Sequence, residues 1–582
     1  MKSIKKLVLV GLVLLASVMV LLPLAGCKND SVPEVPKYTV KFETEHGTAP
    51  ASITVESGTK LTEAQLPSLA DTDDYIFEYW HEKDTPTQKI EAGYSVTKNV
   101  TLVAKWRDRE TTASVTFSPS DTKFFYDEKV TVTLSSDTEE ATIQYKLNSG
   151  DWQDYSKEIT VTSDTTITAK ATKEGLKDSE ETRATYTVRK LTKISITPPT
   201  RTVYSEGEKF DSTGMVLTAT YDDGEERNVT GTIDSDTSSL TKSAGNKEVT
   251  VSYTEGDNTE TATFTVDVVD PSAPTKLTSY ISPNHTDDTW TYVAVGEWPQ
   301  TIKAGDVEVT EDESKKKAMG MFTYYLGSDG NYYVKAAEKA YDTGDAYKYS
   351  DGTQAGQGGT SEKWFKVEPI IWRVLTESYN STGKALLLAE NILTGGIKWA
   401  DSSNNYMESN IRKWLNGNSG SGEQSDYSED AGFLQTAFTE KALEFIVDTT
   451  VDNSARSTNP DGNESLWDSG NNKYASETKT TDKIFLLSEQ EATTAGYGFA
   501  EYNKYGKGNT RIRVTTDYAK ATGACQSSSA AYGGLWWLRS PSYSYENGAR
   551  YINSYGKADD AGSVYGIHMG VVPALSISMN GN

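Results

Sequence analysis

Hydrophobic and polar positions alternate along short runs in the first half of the 582-residue chain. Apolar residues recur at every second position and the runs end at Gly, Asn, Asp or Pro, which is typical of half-buried β-strands joined by turns. The clearest predicted strands lie at 130–134, 142–147, 159–162 and 165–171. The pattern predicts three small all-β modules, at residues 38–107, 114–188 and 191–269.

From residue 281 to the end, continuous apolar runs and short helical patterns replace the alternation. The predicted strands lie at 368–375, 385–388 and 484–487, and their lack of polar positions indicates burial on both faces. A helix is predicted at 409–416, where Ile411, Trp414 and Leu415 share one face. A second is predicted at 438–447, with Thr439 as its cap. We therefore expect one α+β domain at 281–582, joined to the modules by a linker at 270–280.

The segment from Gly533 to Leu575 organises this last domain. It begins with the apolar anchor Leu535-Trp536-Trp537-Leu538 and ends with a second one at 571–575. We expect Trp536, Trp537, Leu538, Val571 and Leu575 to be buried in the core. Arg539, inside the first apolar stretch, is expected to pair with an internal carboxylate.

Between the anchors, Tyr, Ser, Asn, Gly and Asp dominate, a composition that suits adaptable contact surfaces. Tyr and Arg would supply the strong contacts there, and Ser and Asn the adaptable hydrogen bonds. The alternative is that the tyrosines pack on each other. The predicted ligand-binding residues are Tyr543, Ser544, Tyr545, Asn547, Arg550, Asn553, Tyr555, Tyr565 and His568.

The first residues form a targeting segment. Lys2, Lys5 and Lys6 precede an apolar stretch at 7–22, and Leu24-Ala25-Gly26-Cys27 follows it. This resembles a bacterial lipoprotein signal, and the resemblance implies that residues 1–26 are removed and that Cys27 is acylated. An uncleaved anchor or an ordinary secretory signal is the alternative. Residues 27–37 would then be a short polar tether from the membrane.

The net charge limits the classes of binding partner, and the cysteine content limits the possible disulfides. The formal net charge of −26 disfavours nucleic acid and anionic lipid surfaces, which leaves a protein or glycan ligand at the cell surface. Cys27 and Cys525 are the two cysteines, so acylation of Cys27 would leave Cys525 by itself, and no intrachain disulfide could form.

No catalytic, metal or cofactor site is predicted. The four histidines, His46, His81, His285 and His568, are scattered over different modules, and no GxSxG, HExxH or P-loop motif occurs. The loops at 461–464 and 467–472 offer oxygen donors for calcium but lack EF-hand spacing. We therefore interpret them as polar loops.

Each β module carries motifs of a known bacterial family. Gly58, Pro67, Phe77, Trp80 and the closing run 100–106 resemble an InlB B-repeat (Listeria–Bacteroides repeat), which implies a β-grasp-like fold. The next module resembles the immunoglobulin-like C-terminal domain of chitobiase-type proteins, and the third a bacterial Ig-like domain of group 3. The chitobiase-type motifs are Pro119, 143–146 and 166–171. The motifs of the group 3 Ig-like domain are 194–196, Tyr204, 214–217 and 262–268. Such modules imply a stalk, with a direct glycan role for Tyr145 and Trp152 as the alternative.

The C-terminal domain contains seven motifs in this order: EPIIWRVL, ALLLAEN, SNIRKWLN, AFTEKALEFI, DKIFLLSEQEA, WWLRSP and VVPAL. Together they resemble a bacterial domain family of unknown function whose expected fold is C-type-lectin-like, in the formylglycine-generating-enzyme branch. Val572 departs from the family, which has Arg there. The copper-binding cysteine pair of those enzymes is also missing, because Cys525 is the one cysteine in this domain.

A narrower resemblance is to the variable lipoproteins of diversity-generating retroelements, which implies that residues 542–568 vary. We therefore interpret the chain as a cell-envelope lipoprotein, exported and surface exposed, that presents a C-type-lectin-like ligand-binding domain on a β-rich stalk. It would act as a receptor or adhesin and not as an enzyme. The alternatives are a structural or adhesive protein that binds through its Ig-like modules, and an enzyme that acts on envelope glycans.

Overall fold

A computed structural model describes residues 34–284, 290–417, 432–453, 479–500, 509–527, 533–542 and 545–578, without the side chains of residues 559–561. Several sequence predictions lie outside the described residues: Cys27 and the leader, Tyr543 and Ser544, and the loops at 461–464 and 467–472. The chain divides into two compact units, one ending at Arg189 and the other beginning at Lys190. The expected multidomain, β-rich fold class is confirmed.

The first module of the first unit is a small sheet around alternating apolar residues. Five strands follow the order β2-β1-β7-β4-β5, and β1 and β7 run parallel. Alternation along β1 directs Val40 and Phe42 inward, where they pack with Trp80. The strands are β1 (Lys37–Glu43), β2 (Ile53–Glu56), β3 (Thr59–Lys60), β4 (Tyr75–Glu82), β5 (Lys89–Ile90), β6 (Ser95–Val96) and β7 (Val100–Asp108).

The second module is a sandwich of two sheets. The strands are β8 (Val115–Ser118), β9 (Thr122–Phe124), β10 (Val130–Ser136), β11 (Thr142–Leu147), β12 (Gln153–Asp154), β13 (Ile159–Val161), β14 (Thr165–Thr172) and β15 (Thr182–Val188). One sheet has the order β13-β10-β8 and the other β12-β11-β14-β15-β9. Val132, Ile167 and Tyr186 fill the space between them. The predicted strands of this module are thus present, with ends that shift by two residues at most.

The third module opens the second unit and is also built from two sheets. Their orders are β16-β18-β19 and β17-β22-β21-β20. The strands are β16 (Leu191–Thr197), β17 (Val203–Ser205), β18 (Val216–Tyr221), β19 (Glu226–Val229), β20 (Thr232–Ile233), β21 (Gly245–Glu255) and β22 (Asn258–Val269).

The C-terminal domain is organised around a nine-stranded sheet whose main path is β25-β26-β27-β28-β29-β36-β32, with β24 joining β23 to β28. A separate sheet contains β33, β34 and β35, and β30 pairs with β31. The strands are β23 (Thr275–Lys276), β24 (Tyr292–Ile302), β25 (Lys317–Met319), β26 (Phe322–Leu326), β27 (Tyr332–Ala337), β28 (Glu362–Thr376), β29 (Ala385–Ala389), β30 (Thr449–Asp452), β31 (Lys479–Asp482), β32 (Ile484–Phe485), β33 (Trp536–Pro541), β34 (Gly548–Ile552), β35 (Ala558–Ser563) and β36 (Ala574–Ile577).

Short helices cover this sheet: α1 (Asn410–Asn416), α2 (Phe433–Ala437), α3 (Glu440–Leu443), α4 (Glu489–Ala492) and α5 (Asp517–Ala521). The predicted helix at 409–416 is present, with Ser409 as its cap. The helix predicted at 438–447 is wrong in extent, because the chain leaves α3 so that Ile446 can pair with Ile577. Within the described residues, no helix has the length and apolar content needed to cross a bilayer.

The third module and the C-terminal domain share a hydrophobic core. Val203 and Val269 of the module pack with Leu277, Tyr292 and Ala294. Burying these side chains together removes apolar surface of both parts from water, which favours one cooperative unit.

Polar contacts cross the same junction. The carboxylate of Asp267 accepts hydrogen bonds from the backbone N–H groups of Thr278 at 2.8 Å and Ser279 at 2.7 Å. Glu208, almost fully buried, pairs with Arg201 of its own module and with Lys366 of the C-terminal sheet. Burial and the nearby charge of Arg201 lower the pKa of Lys366 to about 8.

The linker predicted at 270–280 is therefore wrong. Pro271, Pro274 and the small residues around them suggested a flexible connection, but β23 pairs with β24 and Leu277 is buried. Amino-acid composition cannot reveal that this segment is ordered, because burial of a single apolar side chain is enough to hold a short segment in place. The third module is consequently part of the C-terminal unit and not a separate stalk segment.

We predict that Leu277→Ala lowers the free energy of unfolding of residues 190–582 by roughly 2–4 kcal/mol, since it removes apolar atoms from a shared core. Ile281→Ala is the matched control: Leu277 is 7% exposed and Ile281 is 63% exposed, so the control should change stability by less than about 0.5 kcal/mol. Denaturant unfolding of the two variants makes the comparison. Equal effects would show that the junction has no common core.

Candidate functional site

The frame of the segment after Gly533 is buried, as the sequence predicts. Trp536, Trp537, Leu538, Val571 and Leu575 are all within 1% of complete burial. The indole N–H of Trp536 donates to the carbonyl oxygen of Arg511 at 3.1 Å. Val572, where the resembling family has Arg, is also fully buried, and an apolar side chain needs no polar partner there.

Arg539 pairs with an internal carboxylate, as predicted. Its guanidinium donates to both oxygens of Glu491, with Nη1 to Oε2 at 2.5 Å and Nη2 to Oε1 at 2.8 Å. Tyr379 donates its hydroxyl to the same carboxylate. Burial by itself raises the pKa of Glu491, but the charge of Arg539 and these hydrogen bonds outweigh burial, so the pKa lies below its ordinary value.

Helix α4 supplies a second carboxylate, Glu489, which is fully buried and forms an ion pair with Arg550. Ser488 caps this helix: its hydroxyl accepts from the N–H of Glu491 at 3.1 Å, and its own N–H donates to the Glu491 carboxylate at 2.8 Å. One four-residue helix thus holds both β33, through Arg539, and β34, through Arg550.

The assignment of Arg550 to the ligand face is therefore wrong. The side chain is 6% exposed, and its charge is used inside the domain. The polar composition of the surrounding segment indicates a surface position. Composition cannot show that the Glu489 carboxylate, 61 positions earlier in the chain, lies next to Arg550 in the fold.

Asn553 also has an internal task. Its Oδ1 accepts hydrogen bonds from the backbone N–H groups of Tyr555 at 3.0 Å and Lys557 at 3.1 Å. Asn553 is half-buried and shapes the turn between β34 and β35. It is a turn residue rather than an exposed contact of the predicted face.

Asn404 positions Ser542 and residues 545–548, and no local pattern in the sequence marks it. This buried amide donates from Nδ2 to the carbonyl oxygens of Tyr545 and Gly548 at 3.0 Å each, and of Ser542 at 3.3 Å. Its backbone N–H donates to the carbonyl oxygen of Glu546 at 2.9 Å. Tyr545 is therefore presented by a loop that a buried side chain holds in place.

The exposed predicted residues lie at two ends of the β34–β35 hairpin. Tyr545 and Asn547 precede the Gly548–Ser563 pair and Tyr565 follows it, whereas Tyr555 lies in the turn beyond the Ile552–Ala558 pair. The strand between these pairs advances about 14 Å at 3.4 Å per residue. The structure therefore brings Tyr545, Asn547 and Tyr565 together but places Tyr555 elsewhere.

His568 lies beside Cys525, whose backbone N–H donates to the His568 carbonyl oxygen at 2.7 Å, and it has an aromatic neighbour that sequence reasoning missed. The ring of the exposed Tyr341 lies 4.6 Å from the His568 ring, between centroids. Tyr341 precedes His568 by 227 positions, so no local pattern could link the two residues. We use the term exposed aromatic face for Tyr341, Tyr545, Asn547, Tyr565, Ile567 and His568, all of which are exposed.

Cys525 does not have the environment of a nucleophilic cysteine. Burial raises the pKa of the Cys525 thiol, whereas a nucleophilic cysteine needs a lowered pKa. No group of three or more His, Cys, Asp or Glu side chains among the described residues is placed to hold a metal ion.

Four family models match separate stretches of the chain. They are the Listeria-Bacteroides repeat domain at 38–105, the Chitobiase/beta-hexosaminidase C-terminal domain at 123–184, the Bacterial Ig-like domain (group 3) at 197–268, and the Domain of unknown function (DUF6273) at 382–579. No curated protein matches the chain. The four resemblances are confirmed for these stretches, and modules of these bacterial classes fit an extracellular adhesive or structural protein.

We predict that Asn404→Ala destabilises the C-terminal domain by about 2–3 kcal/mol, because it removes three hydrogen bonds at a buried position and leaves the carbonyl oxygens of Tyr545 and Gly548 with their backbone donors alone. Asn404→Asp should cost more, since it places a carboxylate against those oxygens. Hydrogen exchange at residues 545–548, together with denaturant unfolding, measures both effects. Asn547→Ala, at an exposed position of the same loop, is the control and should leave stability within about 0.5 kcal/mol. Unchanged exchange in the Asn404 variants would contradict the anchoring role.

Proposed function

We propose that the chain is a cell-envelope lipoprotein, anchored through Cys27, that binds a protein or glycan ligand with the exposed aromatic face of its C-terminal domain. The observation that carries this proposal is the contrast between exposed tyrosines and the rigid frame below them. Tyr545 is 60% exposed, while Trp536 and Trp537 of the same segment are fully buried.

Exposed tyrosines on a fixed frame are suited to binding. A tyrosine offers a large contact area with few rotatable bonds, so little conformational entropy is lost when a ligand covers it. Anchoring of residues 545–548 by Asn404 and of the strands by α4 reduces this cost further, because these residues are held in place before a ligand binds. Asn547 and His568 add adaptable hydrogen-bonding groups beside the aromatic rings.

The C-type-lectin-like fold and the absence of bond-making chemistry are parts of the same proposal. The motif order and the family match at 382–579 support a common fold with that bacterial family, although strands β23 to β28 precede the matched range. The raised pKa of the Cys525 thiol supports binding over nucleophilic catalysis.

Adhesion through the Ig-like modules is the second candidate, and the domain matches support it. The two candidates differ in which surface contacts the ligand. A binding assay on surface variants of the full chain therefore separates them.

We predict that Tyr545→Ala combined with Tyr565→Ala weakens ligand binding by at least about tenfold, since each tyrosine acts as a central anchor. The ligand is found by applying the full chain to arrays of glycans and of purified cell-surface proteins, and its Kd is then measured. Tyr555→Ala, in the same segment but at the other end of the hairpin, is the matched control and should change Kd by less than about threefold. Equal losses in both, or none in either, would reject the exposed aromatic face as the binding surface.

We further propose that retroelement mutagenesis diversifies the segment at 542–568. Sequencing the 3′ end of the gene across isolates should then reveal substitutions at the exposed positions Tyr545, Asn547, Tyr565 and His568. Arg550 and Ser542, which are buried, should stay constant. A segment without variation, or variation that includes Arg550 as often as Tyr565, would reject diversification of this face and leave a fixed-specificity binding protein.

A further inference from the structure

The outer face of the five-stranded sheet in the second module carries an open groove of about 500 Å³. Lys146, Asn148, Thr166, Thr168 and Arg183 line it. All of them belong to the first unit, so the groove is independent of the exposed aromatic face.

Strand register places two cations on either side of a hydroxyl. Lys146 on β11 lies opposite Thr168 on β14, and Thr168 lies opposite Arg183 on β15. Residues directly opposite in neighbouring strands share a face of the sheet, with strands about 4.8 Å apart. The two cationic side chains thus flank Thr168 at a spacing that one carboxylate can bridge.

The remaining groups of the groove also present donors. The Oδ1 of Asn148 accepts a hydrogen bond from the backbone N–H of Thr166 at 2.8 Å, so the Nδ2 hydrogens of this exposed amide remain for another partner. Arg183 is exposed and, within the described residues, has no carboxylate at ion-pair distance. A set of donors with two positive charges fits a ligand rich in acceptors and negatively charged.

Neighbouring carboxylates do not neutralise the groove. Asp178 forms an ion pair with Lys170 at 3.1 Å, and neither residue belongs to the cross-strand row Lys146–Thr168–Arg183. Glu181 forms a long ion pair with Lys146 at 3.8 Å, beyond hydrogen-bond distance, and because its carboxylate is exposed to water it offsets the charge of Lys146 weakly. In a chain of net charge −26, a place that retains positive charge is where an anion can bind.

A half-exposed indole borders the groove. The ammonium of Lys146 lies 4.5 Å from the ring centroid of Trp152, and that of Lys170 lies 5.6 Å from it. These contacts hold the ring beside the cations. An aromatic ring next to polar donors suits a sugar, which has both an apolar ring face and hydroxyl groups.

The groove floor does not suit an extended peptide. Strands β11, β14 and β15 each pair on both sides, so their backbone groups cannot take up a further strand. A ligand must therefore be recognised through side chains, which favours a glycan over an acidic peptide.

We propose that this groove binds a carboxylate-bearing glycan. The uronate carboxylate lies between Lys146 and Arg183, and the sugar hydroxyls contact Asn148 and Thr166, while the buried Thr168 forms the groove floor. The site gives the chain a second point of attachment to an acidic polysaccharide, separate from the C-terminal ligand.

The test is titration of the full chain with an oligogalacturonate hexamer by isothermal calorimetry. Lys146→Ala combined with Arg183→Ala should weaken binding by at least about tenfold, since each lost charge-assisted hydrogen bond is worth about this factor. Lys157→Ala combined with Lys193→Ala removes two exposed cations elsewhere and should leave Kd unchanged. Glu181→Gln should tighten binding, because it removes the one carboxylate near Lys146.

Further probes separate the sources of the carboxylate. A neutral galactose hexamer and monomeric galacturonate should bind at least about tenfold more weakly than the hexamer. An oligoglutamate of equal charge that binds as tightly, with the same dependence on Lys146 and Arg183, would assign the groove to acidic peptides and overturn the proposal. Hexamer binding that is absent, or equal in the groove and control variants, would overturn it as well. All four substituted cations are on the surface, and thermal unfolding verifies that the variants fold.

Discussion

Burial of charged arginines is the constraint on which the C-terminal domain depends. A guanidinium inside a protein costs several kcal/mol unless a carboxylate and hydrogen bonds compensate it. Arg539, Arg550 and Arg373 meet this condition with Glu491, Glu489 and Glu390. Because each pair has one geometry that satisfies both partners, the pairs determine how the strands are placed relative to α4 and to the central sheet.

The Arg373–Glu390 pair shows how strongly the interior is organised by charge. Both side chains are fully buried, and burial alone would raise the pKa of Glu390. The charges of Arg373 and Arg513 lower it instead, to about 2. This buried carboxylate is therefore ionised at any physiological pH, and it also accepts hydrogen bonds from Ser282 and Asn284 at the start of the domain.

A rigid interior has a consequence for the surface. Buried polar side chains hold the chain at both ends of the β34–β35 hairpin. Asn404 does this for residues 545–548, and Arg511 does so for the turn between β34 and β35 by donating to the carbonyl oxygen of Gly556 at 2.6 Å. Exposed residues on such loops are free to change without loss of the fold, whereas the anchors are not. The same division holds in the second module, where Thr168 and Arg183 lie on the outer face and Ile167 and Ala184 fill the core.

The sequence alone determined the β-rich modules, the core anchors at Trp536 and Val571, and the internal pairing of Arg539, because alternation, apolar runs and an isolated cation are local features. Only the tertiary structure decided which polar residues face solvent. Glu489 withdraws Arg550 from solvent, and the turn after β34 uses the side chain of Asn553. Tyr555 stays exposed but lies at the other end of the hairpin, while Tyr341 joins His568 from a distant part of the chain. The structure also replaced a predicted linker by a shared core around Leu277. In each case the contact depends on a partner that is distant in sequence, or on the geometry of a turn, which amino-acid composition does not encode. No local sequence pattern therefore predicts these positions.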